Sequence, residues 1–523
     1  MSRAGRREWI GLAVIALPCL LYSMDLTVLH LAVPRLSVDL EPSSAQLLWI
    51  IDIYGFFVAG SLITAGTLGD RIGRRRLLLI GAAMFAIASV LAAFSRSAAM
   101  LIAARALLGI AGATVAPSTL SLIRNMFLDP GQRTTAVSIW LMSYSLGGAI
   151  GPLLGGVMLE HFWWGSVFLI SVPVMALILV LGPMLLPEFR DPNAGKPDLT
   201  SAALSLAAVL TMIYGLKRMA QNGLTVTPIA FVIAGVLIGV AFVRRQERLT
   251  DPLIDLGLFR IPAFSASLVL YGVGILVMFG GFFFLPQYLQ LVLGLSPFRA
   301  GLLTLPWAVA FIVGSLVTPP LSRIMPPAAL MAGGLALSAV GYFMLARVAA
   351  NTGLATFGAA TFIFAFGASP VFTLTNDLII GSAPPERAGA AAGISETCAE
   401  FGGALGIAIF GSIGIAIYRV ALARAMPLGL SHDVTEAATA TLGGAVAVSQ
   451  QLSGGVATAL LDAAREAFLR GLRVCAVISG FGTLALALFA AKAFPQQPAS
   501  ARADVRDSGF SARPKIGQAA KAK

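Results

Sequence analysis

The chain has 523 residues, of which 58% are hydrophobic and 11% charged, with a formal net charge of +12. Soluble domains are about half apolar and about a quarter charged, so this composition excludes an ordinary soluble globular protein. The positive charge is scattered over short loops between apolar blocks, which argues for a lipid bilayer as partner and against nucleic acid.

Arg3, Arg6 and Arg7 precede an apolar run of about 20 residues, the length that crosses a bilayer. The run contains Asp25 and lacks a small-residue cleavage site, so it reads as a first membrane span over 9–31 and not as a cleaved leader. Further spans follow, among them 48–68, 99–122, 389–418 and 471–492, and a hydropathy window gives about fourteen in all. With the N-terminus in the cytoplasm, two thirds of the 36 Lys and Arg fall on that side, which predicts both termini inside. Three connections stand out: the polar Pro-rich 187–198, the charged 244–262, and the Ala-, Gly- and Ser-rich external loop 419–470. They predict an N-terminal six-helix bundle (1–190), an inserted helix pair with its cytoplasmic loop (191–262) and a C-terminal six-helix bundle (263–495). The polar tail 496–523 is expected to be disordered. Two six-helix halves about an axis along the membrane normal is a transporter plan. The expected fold class is therefore an all-α membrane protein of six, two and six helices.

The chemistry is concentrated in a few places. The first span ends Met24-Asp25-Leu26-Thr27-Val28-Leu29-His30-Leu31-Ala32-Val33-Pro34, and Trp49, Asp52 and Tyr54 follow in the second. The loop after the second span reads Gly66-Thr-Leu-Gly-Asp70-Arg71-Ile-Gly73-Arg74-Arg75-Arg76. The fourth span carries Arg105, whose burial in hydrocarbon costs about 2.5–3.5 kcal/mol unless it is paired or hydrated. The fifth reads Gly147-Gly148-x-x-Gly151-Pro152-x-x-Gly155-Gly156, a spacing that lets backbones touch and a helix bend. Cys19, Cys398 and Cys475 lie in apolar segments without metal-ligand spacing and read as core residues. No metal, nucleotide or other cofactor is expected, and without G-x-x-x-x-G-K-[ST] neither is ATP drive.

Five acids fall within spans: Asp25, Asp52, Asp377, Glu396 and Glu400. Their cost in a membrane makes each a functional candidate. Asp25 lies deep in its span. Asp52, near the outer face, either binds cations at a cavity mouth or meets water. Asp377 sits at a helix end. Glu396 and Glu400 are one helical turn apart, about 6 Å in rise. Two such carboxylates in a low dielectric resist simultaneous ionisation, so cation and proton binding compete. Aromatic side chains, Trp49 and Tyr54 foremost, would supply faces for cations that cannot donate hydrogen bonds.

These motifs carry a resemblance over nearly the whole chain. The loop from Gly66 to Arg76 resembles the signature loop of the major facilitator superfamily, a conformational latch in which Gly66, Asp70, Arg71, Gly73 and Arg74 match. The Gly-Pro-x-x-Gly-Gly of the fifth span resembles the antiporter motif of drug:proton exchangers, implying a hinge at Gly147, Gly151, Pro152, Gly155 and Gly156. The end of the first span resembles that of fourteen-helix drug:proton antiporters, with His30 where the family usually has Asn. Asp251-Pro252-Leu253-Ile254-Asp255-Leu256 and Phe284-Leu285-Pro286 extend the match. The Glu396–Glu400 segment resembles the penultimate helix of quaternary ammonium and methyl viologen exporters. Ser395 stands where that pattern has a further acid, and 302–317 lacks an acid found in some relatives.

The resemblance implies a monomeric alternating-access antiporter of the inner membrane, exchanging protons for lipophilic cations. Quaternary ammonium compounds, methyl viologen and ethidium- or acriflavine-type dyes would be its substrates. Asp25, Asp52, Glu396, Glu400, Trp49 and Tyr54 would bind cation or proton, with Arg105 and His30 in the relay. Rival readings are a symporter or uniporter of another small metabolite, which calls for basic residues in the cavity, and a sensor or enzyme on a transporter scaffold, which calls for a soluble domain or catalytic constellation. The external loop is the one candidate for such a domain, and a cap over the outer mouth is its expected role.

Overall fold

The computed structural model describes residues 4–494 except 191–197, 223–224, 250–251, 384–387 and 453. The tail 496–523 and Asp251 lie outside these residues. Among the described residues, fourteen helices are long and apolar enough to cross a membrane. They are α1 Arg6–Asp39, α2 Ser44–Ile72, α3 Arg74–Ala93, α4 Ala98–Met126, α5 Gly131–His161, α6 Ser166–Leu185 and α7 Leu199–Met219. There follow α8 Val226–Arg248, α9 Pro262–Val292, α10 Pro297–Leu321, α11 Pro327–Leu345, α12 Leu354–Ser382, α13 Ala391–Ala425 and α14 Gly455–Ala493. Among the described residues there is no strand, as a bilayer without water to satisfy the backbone requires of a non-barrel protein.

Proline interrupts four of these helices. α4 breaks at Ala113–Thr114, α6 at Ile170, α9 at Phe283–Phe284 and α10 at Leu303–Thr304. Pro117, Pro173, Pro286 and Pro306 stand about one turn beyond these breaks, where each lacks the N–H that would close the preceding turn. After its break α9 continues through a π-helical turn, Tyr288–Val292.

α1 packs on α5, α3 on α4 and α6, α9 on α12 and α13, and α11 on α12 and α14. The first six helices meet the last six chiefly where α2 packs on α13 and α5 on α10. Small residues make both seams close. A Cβ at Gly55 would lie 3.1 Å from that of Ala404, and one at Gly156 would lie 2.8 Å from the Phe298 Cα. The α7–α8 hairpin packs on the body through α7, against both α2 and α13. Its outer face is apolar, with Val226, Ile233 and Leu237 exposed, as contact with lipid tails demands.

The connection between α13 and α14 differs from the expected long loop. α13 runs on to Ala425 and α14 begins at Gly455, with short helices His432–Ala440 and Leu442–Ser449 between them. The stretch Asp462–Phe468 is the start of α14, because nothing between Gly455 and Lys492 breaks a helix rich in Ala, Leu and Arg. The Leu442–Ser449 helix rests on α1, Ser44 donates to the Ala440 carbonyl, and Tyr418 Oη donates to the Ala438 carbonyl at 2.7 Å. This segment therefore bridges α1 and α2 to α13 at the end of the molecule away from the N-terminus.

Candidate functional site

A cavity of about 170 Å³ lies where α1, α2 and α4 face α9 and α13. His30, Asp52, Arg105 and Glu400 supply its polar wall, while Ile51, Ile275, Phe279 and Ile407 supply apolar surface. α13 presents Glu396, Glu400, Gly403 and Ile407 at three- and four-residue intervals, the repeat of one helical face.

Each charged group here has a partner. Arg105, 1% exposed, pairs with Asp25, and its Nε donates to the Ile50 carbonyl at 3.1 Å. The Tyr54 ring lies 4.6 Å from the guanidinium, adding a cation–π contact. The partner that burial of Arg105 demands is thus the acid one helix away, and the side chain does not reach for the membrane surface. Asp52 pairs with Lys217 of α7, whose Nζ stands 2.9 Å and 2.8 Å from its two carboxylate oxygens. Both side chains are sealed from solvent. The Lys217 ammonium also lies 3.6 Å from the centre of the Trp49 ring. Asp52 therefore does not meet bulk water, although it forms part of the cavity wall. Glu400 accepts a hydrogen bond from Tyr22.

Aromatic rings continue from there. Tyr22 stands 6.0 Å from Tyr54 and 5.7 Å from Tyr144, which stands 5.0 Å from Trp140. The Tyr54 hydroxyl is buried with no hydrogen-bond partner among the described residues, a state that native structures rarely leave without a water or ligand. His30 is buried, lines the same cavity and meets Phe282 edge-on at 5.3 Å. Glu396 is half-buried one turn below Glu400, beside Ser395, which donates to Asn376 at 3.2 Å.

The glycines of α5 explain how α1 is held. A Cβ at Gly147 would collide with the Leu20 carbonyl, and Gly151 and Gly155 face Met24, Thr27 and Val28. Asp25 thus sits on the stretch of α1 that the glycine stripe of α5 touches. On the other side of α5, Pro152 and Gly156 meet Gly301, Pro297 and Phe298 of α10.

The loop from Gly66 to Arg76 closes on its own half. Gly73 has φ +112°, which a side chain would strain, and its backbone lies against Glu188. Asp70 pairs with Arg74, not Arg71, which is exposed. Arg74 is buried, and its backbone N–H donates to the Phe189 carbonyl at 2.9 Å. Its guanidinium reaches the Pro117 carbonyl at 3.3 Å. Gly66 faces Pro117 as well.

Tyr22 and Lys217 belong to no motif. Tyr22 has the sequence signal of an aromatic one turn before Asp25. Lys217 is followed by Arg218 near the end of α7, a pair of bases that looks interfacial from the sequence.

Fourteen apolar helices in two packed halves, with charged groups gathered in a cavity between them, define a polytopic membrane transporter. The chain belongs to the Major Facilitator Superfamily, whose model matches residues 15–407. It is 44% identical over 493 residues to the multidrug efflux pump LfrA of Mycolicibacterium smegmatis, covering 94% of this chain and 97% of that one. It is 36% identical to the methyl viologen resistance protein SmvA of Salmonella typhimurium, covering 92% and 97%. The tetracenomycin C resistance and export protein of Streptomyces glaucescens is 32% identical, with coverage of 94% and 93%. In fold the chain is similar to a bacterial homolog of the human lysosomal transporter Spinster in an inward-facing, unoccupied conformation. The TM-score is 0.67 at 18% identity, covering 95% of this chain and all of that one. The protein is thus a multi-pass transporter of the bacterial efflux-pump type and not an enzyme.

Proposed function

We propose that this transporter exports lipophilic cationic drugs and biocides from the cytoplasm in exchange for protons, by alternating access in the inner membrane. Quaternary ammonium compounds, methyl viologen and ethidium- or acriflavine-type dyes are the substrates this reading names. The observation that carries it is the partnering of the buried acids. Arg105 neutralises Asp25 and Lys217 neutralises Asp52, which leaves Glu400, held by a tyrosine hydroxyl, as the cavity carboxylate without a cation among the described residues. Glu396 follows one turn away. A carboxylate among aromatic rings suits a cation that offers charge and apolar surface but no hydrogen-bond donor. The same carboxylate takes up a proton when the cation leaves, and mutual exclusion of the two ligands is the coupling.

Basic residues also border the cavity, so their presence alone does not separate cation from anion transport. Their pairing does, because each is matched by an acid and the unmatched charge is negative. With both termini cytoplasmic, the packing of α5 on α10 and α2 on α13 lies toward the outside, and the cavity belongs to an inward-facing state. The chain is read as a monomer of six, two and six helices. Asp70, Arg74 and the Gly73 turn serve as the latch, and the α5 glycines as the bearing on which α1 moves.

The test is transport in proteoliposomes loaded with ethidium or methyl viologen under an imposed pH gradient. Efflux is expected to follow the gradient and to stop when an ionophore collapses it. Transport indifferent to the gradient would remove the antiport mechanism.

A further inference from the structure

Lys217 lies within the last two turns of α7, close enough to the helix end for its four-carbon stem to carry the ammonium to water. It turns inward instead and is 1% exposed, seated between both Asp52 oxygens and the face of Trp49. Attachment of α7 does not need this pair. Val209, Leu210, Ile213 and Leu216 already pack α7 against Phe56 and Phe401. A buried ion pair is commonly no more stabilising than well-packed apolar residues in its place. The seat itself has the composition of a site for an onium ion, an aromatic face with a carboxylate beside it. Asp52 joins it to the central cavity, whose wall it shares with Gly55 and Glu400.

We propose that Lys217 is a tethered competitor. Its ammonium fills a second cation seat, made by Asp52 and Trp49 at the seam of α2, α7 and α13, and a lipophilic cation entering from the central cavity exchanges with it. The proposal rests on the reading that the protein carries lipophilic cations, and it names what that cation displaces. The displaced ammonium keeps its proton and swings to the membrane surface at the end of α7. The inserted helix pair thereby takes part in substrate recognition, and the transporter discriminates against cations too weak to evict its own lysine.

The experiment measures tetraphenylphosphonium binding to the full chain in lipid nanodiscs. A seat occupied nine-tenths of the time by its own lysine shows about one-tenth of its intrinsic affinity. Lys217→Met is therefore expected to lower the dissociation constant about tenfold, and adding Asp52→Asn is expected to cancel that gain. In the unsubstituted protein, saturating tetraphenylphosphonium is expected to raise acetylation of Lys217 by a water-soluble amine reagent, read by mass spectrometry. That second readout needs no variant to fold. Unchanged or weaker binding by folded Lys217→Met, or unchanged acetylation of Lys217, overturns the competitor. Failure of the unsubstituted chain to bind the probe at all overturns the cation reading beneath it, so the two failures are told apart.

Discussion

At the level of single residues, the site is a set of charges whose neutralisers come from elsewhere in the chain. Asp25 and Arg105 are 80 positions apart, and Glu400 and Tyr22 are 378 apart. The acids could be read from sequence because a carboxylate in an apolar span stands out on cost alone. Of their partners, Arg105 stood out on the same grounds, but Tyr22 and Lys217 did not, since a tyrosine is ordinary in a membrane helix and Lys217 sits where a surface lysine would. Two outcomes follow from the pairing. Arg105→Ala leaves Asp25 without its cation and is expected to destabilise the folded protein by about 3–5 kcal/mol. Adding Asp25→Asn is expected to recover most of that loss; thermal unfolding in detergent measures both. Glu400→Gln keeps the hydrogen bond from Tyr22 but removes the titrating group. Gradient-driven efflux is expected to drop by at least about tenfold, or roughly 1.4 kcal/mol in barrier, with the protein still folded. Wild-type efflux in a Glu396→Gln/Glu400→Gln variant would remove both residues from the coupling.

At the level of elements, the proline breaks in α4, α6, α9 and α10 lie inside spans that hydropathy reads as continuous, whereas the glycine repeat of α5 marked a close helix contact without saying which helix answers it. The structure supplies that helix as α1 and adds α10 on the far side. In the loop from Gly66 to Arg76, the Gly73 turn between α2 and α3 brings Arg74, the first residue of α3, back onto Asp70, while Arg71 stays exposed. The start of α14 was not legible because hydropathy falls before the helix does. Gly147→Val tests the bearing. Its side chain would strike the Leu20 carbonyl, and overpacking of that kind costs on the order of 1–3 kcal/mol. The expected result is a folded but less stable protein with slowed efflux. Ala at the same position, with a smaller collision, should lie between Val and the native residue in a transport assay.

At the level of the whole molecule, fourteen spans were legible from hydropathy, but the seams between the halves were not. Their positions depend on where a glycine lets another backbone approach across the gap, Gly55 against Ala404 and Gly156 against the backbone of Phe298. The segment between α13 and α14 adds a third crossing. A Cβ at Gly443 would lie 2.6 Å from that of Ser37, so cysteines at the two positions would have to separate by about 1 Å to reach disulfide geometry. A Ser37→Cys/Gly443→Cys variant is expected to lose efflux on oxidation and regain it on reduction, because alternating access requires the outer ends of α1 and this segment to part. Undiminished efflux in the oxidised, cross-linked protein would show that the segment rides with α1 throughout the cycle.

The cavity has a consequence of its own. At about 170 Å³ it is smaller than the roughly 300–1,000 Å³ of typical drug pockets. A bulky guest cannot be seated in the molecule as it stands; it has to wedge the helices apart. Loading is then a mechanical act, and the work it requires grows with the girth of the guest. A version of the protein clamped shut should therefore reject large dyes outright instead of holding them without release, and slim cations should be the last to lose their welcome.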